Sequence, residues 1–331
     1  HIIGKLSELP IIEIYCTEIC FANFAHEQIR GLQNVLISTK VINVRFCSSF
    51  VQLKKGANGM LKIKTKKQGA ELTSIQYNGK EMLFDGKTFW NRQSPILFPI
   101  VGQIKDSKTE IQGKKYEMSQ HGFARDMEFN QIAENHYVLI YNDETLKKYP
   151  YRFELHVIYQ IIEKTLQIEY QVKNIDNKKI YFGLGGHPAF KCEYITGKYE
   201  VAFEEKEDKI EFLKLKNGLV DTEKASNILE NNKIHLTENI FDNDAIIMKN
   251  MKSNKIILQN RETKQKILEF DFTDFPYLAL WSKKGAPFVC IEPWQNTADK
   301  IDSNQVFKDK ENINQLEPNE IFSCKYNIKF F

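Results

Sequence analysis

Two short stretches hold the side chains best suited to moving a proton. Leu184-Gly185-Gly186-His187-Pro188-Ala189-Phe190 sets one imidazole between two glycines and a proline. The glycines let the backbone take left-handed angles or come close to a ligand, and Pro188 steers His187 toward an extended conformation. An imidazole titrating near 6.5 and held at one angle can give or take a proton at neutral pH, although alone the segment reads more simply as a tight turn. In Cys290-Ile291-Glu292-Pro293-Trp294 the apolar run from Phe288 to Ile291 ends in a carboxylate. Pro293 makes Glu292 extended and places it at the strand end. Burial there raises a carboxyl above its ordinary value of about 4.3, as a general base near neutrality requires. Trp294 offers a face for stacking on a sugar. The plainer reading, a charge that caps a strand, is weakened because a Glu in so apolar a setting is uncommon.

Three further places carry donors or acceptors. Arg92, in Trp90-Asn91-Arg92-Gln93-Ser94-Pro95, lies just before the apolar run Ile96 to Val101. It is a surface arginine or a fork of donors for hydroxyls or a phosphate. His121 and Arg125 are four apart in His121-Gly122-Phe123-Ala124-Arg125-Asp126, which is either a loop with a surface ion pair or two donors aimed into one pocket. Asp242-Asn243-Asp244 is a solvated turn or an acceptor for hydroxyls.

The elements that must position these side chains read as all-β. Phe153, Leu155, Val157, Tyr159 and Ile161 alternate along one segment, and Leu166, Ile168, Tyr170 and Val172 along the next. That is the period-2 pattern of half-buried strands. Asn78-Gly79 is a strong hairpin signal before Met82-Leu83-Phe84, and Asn174 to Asn177 supplies another turn. Further strands are predicted over 180–184, 255–258, 267–270, 277–281, 288–291 and 321–328. No long helix separates them, so the pattern predicts an antiparallel sandwich and excludes alternating strands and helices. Residues 1–55 lack this pattern. They read as an N-terminal extension with a short helix over Phe24 to Leu36, and residues 56–331 as the β domain.

With 46 basic and 43 acidic residues the net charge is +3, which argues for neither a nucleic-acid nor an acidic-membrane partner. No apolar run is long enough to span a bilayer. The six cysteines are too few for a disulfide framework. Cys16 and Cys20 lack a matching second pair, so no zinc site is expected, and Cys290 reads as a small buried hydrophobe. These features predict a reducing, cytoplasmic setting. The chain starts at His1 rather than Met, which suggests a trimmed start, and no signal-peptide layout opens it.

The segments containing His121 to Arg125, Gly185 to Phe190 and Cys290 to Trp294, supported by Asn91-Arg92 and Ser94-Pro95, together resemble the aldose 1-epimerase (mutarotase) family, in particular its LacX-like branch. The likeness runs from about Gly59 to Phe331. It implies a large antiparallel β-sandwich of the galactose mutarotase-like kind and a sugar cleft on a concave sheet face. It also implies interconversion of the α and β anomers of a hexose by acid–base ring opening and reclosure. By that likeness Glu292 is the general base, His187 the general acid, and His121 a second histidine near the ring. Arg92 and Arg125 position the substrate, and Asp244, or its neighbour Asp242, accepts a hydroxyl. No metal or organic cofactor is implied, and the small-molecule partner is a sugar. Two alternatives stay open: a hexose-6-phosphate 1-epimerase, which two arginines would suit, and a non-catalytic carbohydrate-binding or sensing protein.

Overall fold

Alternation of apolar and polar residues decides which face of each strand is covered. In Thr165–Asn174 every second residue, Leu166, Ile168, Tyr170 and Val172, is buried. In Phe153–Ile162 the same holds for Phe153, Leu155, Val157 and Tyr159, but Ile161 is 40% exposed where the strand runs past the core. A one-residue slip would turn each row outward, so the register between these strands, Leu166 opposite Ile161 through Asn174 opposite Phe153, follows from the pattern.

The protein is described by a computed structural model covering residues 60–331, within a compact unit spanning Lys55–Phe331. The extension expected over residues 1–55 lies outside the described residues. Two large antiparallel sheets dominate. A nine-stranded sheet has Ile321–Phe330 between Lys266–Asp271 and Thr165–Asn174. An eight-stranded sheet runs Leu219–Lys224, Glu211–Lys216, Ile246–Lys249, Tyr277–Trp281, Phe288–Trp294, Gly185–Gly186 and Ile96–Leu97, with Ala189–Lys191 also pairing Phe288–Trp294. Apolar side chains from both, including Leu155 and Val157 from one and Leu278, Leu280, Val289 and Ile291 from the other, form one core. Phe190 meets Phe270 across it with ring centroids 6.3 Å apart. This is the sandwich that the sequence predicts. The one α-helix among the described residues is six residues long, Asp143–Lys148, capped by the Asn142 side chain.

Several boundaries differ from the sequence reading. The run from Ile96 to Val101 ladders only over Ile96–Leu97. Pro99 has no N–H to give, and the stretch goes on as a buried connection in which the Pro99 carbonyl accepts from Gly183 N–H at 2.6 Å. The strand predicted to stop at Ile291 continues through Pro293 to Trp294, so Glu292 sits inside the strand rather than at its end. The Asn78-Gly79 turn has positive φ at both residues, 53° and 79°, and joins Leu72–Tyr77 to Lys80–Glu81.

Candidate active site

The strand Phe288–Trp294 is buried on both faces and sorts its side chains by parity. Val289 and Ile291 enter the sandwich core, whereas Phe288, Cys290 and Trp294 belong to clusters on the opposite face. Glu292, between Cys290 and Trp294 in that alternation, shares their face. Beside it, Gly185 pairs with Trp294 and Ala189 with Cys290. Three residues separate each pair of anchors, so His187 lies directly opposite Glu292. Regular pairing lapses between the anchors because Pro188 and Pro293 both lack N–H groups. Directly opposite residues on neighbouring strands have Cβ atoms about 5 Å apart. In this way two residues more than a hundred positions apart in the chain become neighbours: His187 Nε2 is 3.2 Å from Glu292 Oε2.

Both side chains are buried, at 6% and 1% exposure. The contact is short but not aligned as a hydrogen bond, which leaves Glu292 Oε2 without a partner, and His187 Nδ1, on the other side of the ring, has none either. Burial disfavours either charge. It pushes the Glu292 carboxyl well above its ordinary value, helped by the nearby charge of Asp244 and opposed by the Trp294 indole. Burial also pulls His187 down to about 3, with Arg125 and Arg92 adding to the effect. Burial therefore favours one proton held by the pair, with both groups neutral.

His121 stands beside them, its ring centroid 5.5 Å from that of His187. Its left-handed backbone, φ 67°, is fixed by hydrogen bonds across the Ile96–Gly102 connection: His121 N–H donates to the Gly102 carbonyl at 2.8 Å. Gly102 N–H in turn donates to His121 Nδ1 at 3.0 Å. Burial, then the His187, Arg125 and Arg92 charges, lower His121 well below its usual value. The neutral ring accepts at Nδ1, so its remaining proton is on Nε2. Gly122 makes this loop possible: a Cβ there would lie 2.2 Å from the Phe98 carbonyl oxygen.

The two arginines converge on one carboxylate. Arg92 Nη2 donates to Asp126 Oδ1 at 2.8 Å, and Arg125 Nε lies 3.9 Å from Asp126 Oδ2. Arg125 also donates to the Gln120 carbonyl, and burial followed by Arg92 brings its guanidinium down to about 10. Asp244 is exposed, with Oδ1 accepting from Ala245 N–H, whereas Asp242 pairs with Lys284 at 3.0 Å. Of the two, Asp244 is the one whose charge reaches Glu292. Trp294 is 4% exposed and packs with Leu97, Val101, Ile247, Tyr277 and Ala279. The indole that lies over His187 is Trp90, at 4.8 Å between centroids, and it also contacts Trp281 and Phe288.

Sequence reasoning did not single out Trp90 or Glu71. Glu71 is 3% exposed, and its Oε1 accepts from Gln93 N–H at 2.7 Å and Ser94 N–H at 3.1 Å. It thus anchors the turn that carries Arg92. A signal was present in Gly69-Ala70-Glu71-Leu72, a carboxylate among small and apolar residues like Glu292. A cavity of about 620 Å³ opens elsewhere on the same sheet, lined in part by Leu213, Lys249 and Glu311. It contains neither His187 nor Glu292, and its Lys249 and Lys300 are already paired to Glu311.

The family model for aldose 1-epimerase matches residues 50–311. The chain belongs to the aldose 1-epimerase family. It is 33% identical over 291 residues to the plasmid-encoded protein LacX of Lactococcus lactis subsp. lactis, covering 82% of this chain and 97% of that protein. Among solved structures it is similar to a galactose mutarotase related enzyme from Lactobacillus acidophilus, with TM-score 0.75, 28% identity, and coverage of 83% of this chain and 95% of that one. It is also similar to a galactose mutarotase-like protein from Lactobacillus casei, with TM-score 0.75, 29% identity, and coverage of 82% and 97%. Family and fold together support a carbohydrate epimerase. Among the described residues no helix is long and apolar enough to cross a membrane.

Proposed function

We propose that the protein interconverts the anomers of a hexose, with Glu292 and His187 as its base and acid. The observation that carries this reading is the buried 3.2 Å approach of His187 Nε2 to Glu292 Oε2. O1 and O5 of a pyranose are both bonded to C1, so the groups that serve them must themselves be neighbours.

With a cyclic hexose bound, the proton of the pair first passes from Glu292 to His187. Glu292 then takes the proton of the O1 hydroxyl, the C1–O5 bond breaks with its electron pair on O5, and His187 gives O5 a proton. The product is the open-chain aldehyde. Rotation about C1–C2 presents the other carbonyl face, and the same transfers in reverse close the ring. Ring opening leaves Glu292 protonated and His187 neutral, the placement that burial favours. The low-dielectric setting thus stabilises the opened state relative to the ion pair that precedes it. Misalignment of the pair before substrate arrives is usual for catalytic hydrogen bonds. His121 offers its Nε2 proton, Arg92 and Arg125 their remaining donors, and Asp244 an acceptor to the sugar hydroxyls. Trp90, whose ring lies over His187, offers an aromatic face for the sugar to stack on.

Two guanidiniums sharing the single Asp126 carboxylate favour a second reading, in which the hexose carries a 6-phosphate. Rates measured with hexoses and with their 6-phosphates separate the two. The pair itself is tested by Glu292→Gln and His187→Asn, each expected to slow anomer exchange in polarimetry by about a hundredfold or more with the fold retained. Full activity in either variant sinks the assignment.

A further inference from the structure

We propose that His187, Glu292 and Cys290 form a binding site for a thiophilic divalent transition-metal ion, zinc above all, and that its binding switches the acid–base pair off. Cys290 has no part in the proton transfers, yet it lies two residues before Glu292 on the same strand face. One ligand atom from each of the three residues lies within 4.8 Å of the others. The ligands come from two neighbouring strands of one sheet, so their backbone is already fixed. All three are buried, at 0%, 6% and 1% exposure for Cys290, His187 and Glu292, and His187 Nδ1 and Glu292 Oε2 have no hydrogen-bond partner. Buried polar atoms left in that state call for an occupant.

Donor atoms around a tetrahedral zinc stand about 3.5 Å apart, so side-chain rotations of about an ångström close the site. A thiolate, an imidazole and a carboxylate suit zinc or cobalt and not magnesium or calcium. A water or a sugar hydroxyl completes the fourth position. Binding releases the thiol proton and the proton held by the pair to solvent. It also occupies the carboxylate and imidazole lone pairs on which proton transfer depends.

Inhibition rests on the reading given under Proposed function, but ion binding does not, and the experiment separates them. Metal-free full-length protein is titrated with Co²⁺ alone and followed by electronic absorption. One equivalent is expected to give thiolate-to-cobalt charge transfer together with tetrahedral d–d bands, both displaced by zinc. Cys290→Ser, which keeps the side-chain volume, and Cys290→Ala should lose the charge-transfer band and bind at least about tenfold more weakly, since even groups that only orient a ligand are worth that much. In parallel, zinc should inhibit anomer exchange in the wild type and chelation should restore it, each variant being judged against its own metal-free rate. A band that depends on Cys290 in a protein with no anomer exchange would uphold the ion site and defeat the proposed function. Absence of the band in the wild type, or its persistence in Cys290→Ala through another thiol, overturns the proposal.

Discussion

Glu292 is a carboxyl that the fold would rather keep protonated, and this has a measurable cost. In the unfolded chain it ionises near its ordinary value of about 4.3, whereas burial raises it well above that in the fold. Between the two values the folded state holds a proton that the unfolded state has lost, so this group makes stability fall as pH rises. His187 acts in the opposite sense: drawn down to about 3, it makes stability rise with pH from there to about 6.5. Comparison of Glu292→Gln with the wild type isolates the carboxyl. The two should melt alike at about pH 4, where the free carboxyl is still largely protonated, and the variant should become the more stable, increasingly so, as pH rises above that. A variant that melts lower at the alkaline end would mean that the folded pair is a stabilising ion pair instead. Glu292 was legible in the sequence because a carboxylate stands out in an apolar run. The part that Trp90 plays was not, because stacking on His187 depends on a contact between segments almost a hundred residues apart.

At the level of elements, the site depends on backbone that only glycine or proline supplies. Pro293 stands opposite Gly186 and Pro188 opposite Ile291, so a ladder N–H is missing on each side of the His187–Glu292 pair. Gly122, at φ 72°, lets the His121 turn close on the Phe98 carbonyl. Gly122→Ala therefore suffers twice, from left-handed strain of about 1–2 kcal/mol and from a clash with backbone that cannot yield cheaply, about 1–3 kcal/mol more. Gly79→Ala is the control: it has a similar φ of 79°, but its Cβ would meet nothing within 4 Å. Denaturant unfolding should show Gly122→Ala losing roughly 2–5 kcal/mol and Gly79→Ala only the strain. Equal losses would mean that the His121 turn adapts. The sequence showed the strands well where one face is covered and the other half-open, as in Thr165–Asn174. It misled where burial is two-sided or the chain is apolar without being a strand. Pro293 looked like a terminator but sits within a strand, and Ile96 to Val101 looked like a strand but ladders over two residues. Apolar runs carry no period that would tell such cases apart.

For the whole molecule, the question is how much chain the sandwich needs. Residues Lys55–Phe331 form a compact unit, and the similarity to LacX takes in 97% of that protein with 82% of this chain. We propose that residues 56–331 are the complete epimerase domain and that residues 1–55 are an extension to it. A domain with its own core folds alone, so residues 56–331 produced without the extension should unfold in one cooperative transition and exchange anomers at the full-length rate. The family match ends at residue 311, but the fold does not. Ile321–Phe330 pairs with Thr165–Asn174 on one side and Lys266–Asp271 on the other. Its Cys324, Tyr326, Ile328 and Phe330 are buried, and Tyr326 Oη would stand 2.9 Å from a Cβ on Gly186, beside His187. Removing it would split the nine-stranded sheet at its middle and leave two unpaired edges, which invite aggregation. A chain of residues 56–311 should therefore be insoluble or molten, whereas 56–331 is folded and active. An inactive 56–331 that recovers when the first 55 residues are restored would place those residues in the working domain and refute the proposed boundary.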